Sequence, residues 1–167
     1  MDASPAPASH LDGKTVLVRA DFSDGVSREL GRVVAGLAKA GARVAVIAGF
    51  GAPSGDINPA LSLLRFRTPL EAKARVPVTF IPDCVGPVAE AGLHGVPYGE
   101  AALMENLRFH PDLRRNTRNF AIRLSALADY FVTSGPVPEK PVGWLTALAS
   151  ILPPPPGLAA STSTTGI

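Results

Sequence analysis

Four arginines fall between residues 108 and 118, namely Arg108, Arg114, Arg115 and Arg118, and Asp112 is the only acid among them. A guanidinium is a planar fork of donors that grips carboxylate and phosphate in bidentate, charge-assisted hydrogen bonds, so the chemistry on offer is anion recognition. Arg108 is the best placed of the four. It follows the apolar run Ala101–Met104 and the polar pair Glu105–Asn106, where a buried strand hands over to its loop, and ligands of open α/β sheets gather just beyond the carboxyl ends of strands. The other arginines read as a solvated loop or a contact for an acidic partner.

Other chemistries find less support. Neither G-x-x-x-x-G-K-[ST] nor G-x-G-x-x-G occurs, and Gly49-Phe50-Gly51 lacks the third glycine. His10, His94 and His110 share no metal-ligand spacing with one another or with Cys84, so no metal site is expected. Only Phe109 and Phe120 stand near the arginines, too few for base stacking, so nucleic acid is not an expected partner. The single cysteine suits a reducing, intracellular setting, cytoplasmic or an organellar matrix, and reads as a buried structural thiol. No apolar run reaches the ~18 residues that span a bilayer, and the first ten residues lack the basic and apolar regions of a signal peptide.

The elements that must position Arg108 alternate along the chain. Val16–Phe22 reads as a strand; Ser27 caps a helix with Leu30, Val33, Val34 and Leu37 on one face, stopped at Gly41. Arg43–Phe50 is a second strand, Thr68-Pro69 opens a short helix, Val78–Ile81 is a third strand and Gly86–Ala91 is helical. Ala101–Leu107 is a fourth strand, a helix capped by Asn116 or Thr117 comes next, Tyr130–Thr133 is a fifth strand, and Trp144–Leu152 a last helix. Such alternation specifies a doubly wound, Rossmann-like α/β fold with a mostly parallel sheet and helices on both faces. Residues 1–12 and 153–167 read as tails, the second opening on four prolines, and residues 13–152 as the single domain. With 46% apolar and 18% charged residues, the chain is poorer in charge than the ~25% of an average domain. Strands buried on both faces need apolar runs, and a covering partner would add to the same bias.

Several of these segments carry a family resemblance. Thr15–Ser23 resembles the first strand and Arg-x-Asp-Phe-Asn turn of phosphoglycerate kinase, Gly41–Ile47 its second strand, Pro82–Gly86 the segment after its third, and Glu105-Asn-Leu-Arg-Phe its Glu-Asn-Leu-Arg-Phe motif. The four lie in the family's order within its N-terminal, substrate-binding domain, over roughly residues 13 to 150. The resemblance implies that Asp21 matches the residue contacting the acid's hydroxyl, that Arg108 is retained, that Ser23 replaces an asparagine, and that Arg28 lies about two residues out of register with a family arginine. It also implies losses. Where the family has Ser-His-Leu-Gly-Arg-Pro, this chain reads Ala48-Gly49-Phe50-Gly51-Ala52-Pro53, so Gly49 and Ala52 replace a histidine and an arginine. The loop after Thr133 lacks the family's His-Arg-Ala-His, with Pro141 among the lost positions and Lys140 its one cation.

These losses imply a loss of activity. The family's nucleotide and magnesium sit on a second domain, and this chain is expected to stop near the linker to it, so no cofactor is expected here. The leading expectation is a non-catalytic descendant serving as an interaction or structural subunit of a larger assembly. Two alternatives stay open: a truncated or split phosphoglycerate kinase supplying the 3-phosphoglycerate-binding half, and a weak small-anion binder using Asp21, Ser23, Arg28 and Arg108.

Overall fold

Short, mainly apolar runs form the strands Thr15–Arg19 (β1), Arg43–Ile47 (β2), Val78–Ile81 (β3), Ala101–Met104 (β4) and Tyr130–Thr133 (β5), with Thr79 of the edge strand β3 exposed. The structure is a computed structural model that describes residues 11–53, 57–136 and 143–157. The strands form one sheet in the order β3-β4-β2-β1-β5, and every neighbouring pair is parallel. The doubly wound α/β architecture expected from the alternation is therefore present.

Between the strands run the helices Arg28–Lys39 (α1), Arg67–Ala74 (α2), Pro87–His94 (α3), Asp112–Arg115 (α4) and Thr117–Ser125 (α5), and Gly143–Ile151 (α6) follows β5. Val16, Val18, Val44, Val46 and Leu103 pack with Leu30, Val34 and Leu70 of α1 and α2 on one face of the sheet. Leu17, Ile47, Met104 and Phe131 pack with Leu93, Phe120, Leu124 and Leu148 of α3, α5 and α6 on the other. Side chains alternate along each strand, so one strand feeds both cores. No helix among the described residues is long and apolar enough to cross a membrane.

Local chemistry explains the joints. The Ser27 hydroxyl accepts from the Leu30 amide at 3.0 Å and starts α1, a cap that satisfies an otherwise orphan N–H. Gly41, at φ 96°, follows the helix and turns the chain into β2. Gly31 lies against α2: a Cβ there would come within 2.8 Å of the Lys73 carbonyl oxygen, so the two backbones touch. Beside β5, the Phe131 amide donates to the Pro153 carbonyl at 3.0 Å, and Pro155 is buried.

Several boundaries differ from the periodicity. β1 stops at Arg19 rather than Phe22, because Phe22 leaves the sheet to stack on Phe66 with ring centroids 4.5 Å apart. β2 stops at Ile47, and β4 stops at Met104 with a 3-10 turn over Leu107–Phe109. Beyond these ends one backbone bond persists, from the Leu107 amide to the Ala48 carbonyl at 3.0 Å, while Phe50, Glu105 and Asn106 are drawn into side-chain bonds. α2 opens at Arg67, one residue before Thr68, with Phe66 at its cap position.

Candidate anion-binding site

The site is assembled by the polar pair that follows β4, Glu105 and Asn106. Glu105 Oε1 accepts from the Leu63 and Asn106 amides at 2.9 and 2.8 Å, and its Oε2 accepts from the Ser62 hydroxyl at 2.7 Å. Asn106 is buried with its side-chain polar atoms fully engaged. Its Nδ2 donates to the carbonyls of Phe50 and Leu61 at 2.8 and 3.0 Å, and its Oδ1 accepts from the Phe50 and Arg108 amides, both at 3.0 Å. These bonds clamp the loop after β2 to the carboxyl end of β4 and fix where Arg108 leaves the backbone.

Arg108 then crosses the glycine of the neighbouring loop. Its Nη1 donates to the Gly51 carbonyl at 2.5 Å. A Cβ on Gly49 would lie 2.8 Å from Arg108 Nε and 3.2 Å from its Cγ, so Arg108 occupies the space that a side chain at position 49 would need. The absence of a side chain at Gly49 and the pose of Arg108 are one feature.

Arg19, the last residue of β1, is half-buried, and its Nη1 donates to the Pro136 carbonyl at 3.0 Å. Burial lowers its pKa, the Asp21 carboxylate opposes that, and Arg108 adds to the lowering. Asp21 Oδ1 accepts from the Ser23 hydroxyl at 2.5 Å and from the Ser23 amide at 2.9 Å. The Ser23 hydroxyl first and its amide second hold the Asp21 carboxyl below the usual range; burial pushes the other way, and Arg19 and Arg108 reinforce the lowering. A depressed folded pKa means that this contribution to stability is present above the unfolded value of ~3.9 and is lost as the pH falls through the folded one.

An open cleft of about 510 Å³ results, lined by Arg19, Gly49, Ala52, Arg108, Arg114 and Trp144 among others. Three guanidinium groups thus converge on one concavity at the carboxyl edge of the sheet. Arg19, Arg114 and Trp144 are not among the site residues named from the sequence; Arg19 is the arginine of the Arg-x-Asp-Phe turn that also holds Asp21, and that motif was the available signal for it. Asp21 and Ser23 turn toward each other beside the cleft and do not line it. Arg28, the exposed first residue of α1, and Arg118 are not among its lining residues either. Lys140, Pro141 and His10 lie outside the described residues. Among the described residues, no group of three or more His, Cys, Asp or Glu side chains is placed to hold a metal ion.

Cys84 is buried, and burial pushes its thiol up to about 12. A thiol that stays protonated and covered is a poor nucleophile. Native protein is expected to leave Ellman's reagent unreacted at pH 8 and to release one equivalent of chromophore on unfolding in guanidinium; rapid native labelling would contradict the burial.

The comparisons with known proteins bear on the same segments. The family model described as phosphoglycerate kinase matches residues 7–135. The chain belongs to the phosphoglycerate kinase family. It is 35% identical over 162 residues to the phosphoglycerate kinase of Caulobacter vibrioides strain NA1000, covering 89% of this chain and 40% of that protein. With the phosphoglycerate kinase of Streptomyces avermitilis it shares 40% identity over 144 residues, 77% of this chain and 35% of the relative. The chain therefore spans well under half the length of these relatives and corresponds to an N-terminal-domain portion of the family. The solved phosphoglycerate kinase of Pyrococcus horikoshii superposes with a TM-score of 0.68 at 20% identity, over 86% of this chain and 40% of that one, a likeness of fold. The enzyme from Coxiella burnetii gives 0.59 at 26% identity, over 74% and 33%.

Proposed function

We propose that this chain is a non-catalytic phosphoglycerate kinase-like domain that works within a larger intracellular protein assembly and keeps a weak site for a phosphorylated acid. The observation that carries the reading is the pose of Arg108: the retained arginine of the motif is bound to the Gly51 carbonyl across Gly49. A ligand must break that bond to recruit it. A charge-assisted hydrogen bond contributes on the order of 1.5 to 3 kcal/mol, and millimolar affinity corresponds to only about 4 kcal/mol. Losing the partners at positions 49 and 52 is thus enough to separate tight from weak binding.

A second reading rests on the same cleft. Three arginines lining one concavity suit the substrate-binding half of a phosphoglycerate kinase whose nucleotide-binding half is supplied separately. Phosphoryl transfer depends on positioning a nucleotide and its magnesium against the acceptor, and we assign no residue of this chain to that task. Purified chain given ADP and 1,3-bisphosphoglycerate, with ATP read by luciferase, is expected to stay at background. Turnover by the chain alone would overturn the non-catalytic reading. Turnover that appears only on adding a nucleotide-binding chain would favour the second.

A further inference from the structure

The large cleft does not use all the positive charge at this edge. Arg108, Leu113 and Arg114 form a wall shared with a second, smaller groove of about 200 Å³ on the other side. Pro53, Phe109 and Pro111 give that groove an apolar floor, and Arg115 lines it while taking no part in the large cleft. The nearby acid is already engaged: Asp112 Oδ2 lies 3.8 Å from Arg123 Nη1. Among the described residues, the guanidinium groups of Arg114 and Arg115 find no hydrogen-bond or ion-pair partner, and both residues are exposed. His110 completes the groove with its ring tilted onto Phe120 at 5.0 Å and its Nδ1 accepting from the Asp112 amide.

We propose that this groove docks an acidic peptide segment of a protein partner, seating one apolar side chain on Phe109 and the prolines and pairing its carboxylates with Arg114 and Arg115. The inference rests on the assembly reading and gives that assembly a surface. Charge complementarity selects the partner, because guanidinium groups that meet no acid among the described residues around a concavity favour an anionic group and repel a basic one. The floor selects a peptide over a free phosphate. An inorganic anion gains nothing from Phe109, Pro53 and Pro111, whereas a peptide carrying Leu or Met between acidic residues uses floor and rim together. Nucleic acid would stack on several aromatic rings in succession, and Phe109 carries the one phenyl ring of the groove.

The test uses the full chain and a fluorescein-labelled peptide, Glu-Glu-Leu-Glu-Glu, followed by anisotropy at low salt. Its Gln-Gln-Leu-Gln-Gln counterpart, a labelled oligothymidine, and 3-phosphoglycerate as competitor serve as the other arms. The expected result is saturable binding of the acidic peptide, at least ~10-fold weaker for the glutamine peptide. R115E should weaken it about fivefold or more, with R115K close to the parent. 3-Phosphoglycerate binding by R115E stays at the parental level, which also shows that the variant is folded. Equal binding of the two peptides, indifference to R115E, displacement by 3-phosphoglycerate without an R115E effect, or tighter binding of oligothymidine would each overturn the groove as the docking site. Sizing of tagged chain in native extract separates the two levels. A monomer there defeats the assembly reading itself, whereas an assembly that R115E still joins defeats only the groove.

Discussion

Asn106→Ala is expected to lower the thermal midpoint by roughly 6–12 °C, a large shift for one polar side chain. Four backbone groups depend on it: the Phe50 amide and carbonyl, the Leu61 carbonyl and the Arg108 amide. Leaving several buried or half-buried groups unpaired costs about 3 kcal/mol in total, and each kcal/mol moves the midpoint of a domain this size by about 2–4 °C. Asn116→Ala is the matched control. Asn116 sits at the cap position of α5 but makes no side-chain capping bond, so its loss should fall within ~0.5 kcal/mol. Differential scanning fluorimetry of the two variants separates the cases: similar small shifts would mean that the Asn106 clamp does not hold the loop.

Restoring the two basic groups that the resemblance marks as lost gives the second large effect. Gly49→His with Ala52→Arg adds two cations to the cleft that Arg108 lines and, at position 49, fills the space that Arg108 now occupies. Arg108 is a flexible side chain and must swing off the Gly51 carbonyl toward the cleft. At pH 6 a histidine with an ordinary pKa of ~6.5 is mostly charged. Two added charge-assisted contacts at ~1.5–3 kcal/mol each, discounted for a solvent-open site, should tighten 3-phosphoglycerate about 100-fold. The gain should shrink toward pH 8 as the imidazole loses its proton. An affinity unchanged at pH 6 would show that the missing side chains are not what weakens the site.

The fold was legible where its cause is local. β3 lies between Pro77 and Pro82, and the Ser27 cap is a bond to an amide three residues on, so short-range pattern is enough. The site was legible only in its strand-end arginine. Glu105 and Asn106 reach partners 42 to 56 residues away in sequence, and nothing local announces those partners. A similar distance separates Arg108 from Gly51, which is why the missing side chain at Gly49 and the arginine lying over it read as two facts in the sequence and one in the structure. Arg114 read as part of a solvated loop because its convergence on Arg19 is produced by the crossover from β4 to β5, not by spacing. Arg28, singled out by register, stands exposed at the start of α1.

The proposed weak site for a phosphorylated acid, with Arg108 held by the Gly51 carbonyl, has a direct thermodynamic signature. Isothermal titration of 3-phosphoglycerate into the purified chain reads it. The expected Kd is about 1 mM or weaker, near 4 kcal/mol of binding, with the residual heat lost in Arg108→Ala. A micromolar Kd, or millimolar binding indifferent to Arg108→Ala, would contradict the proposal.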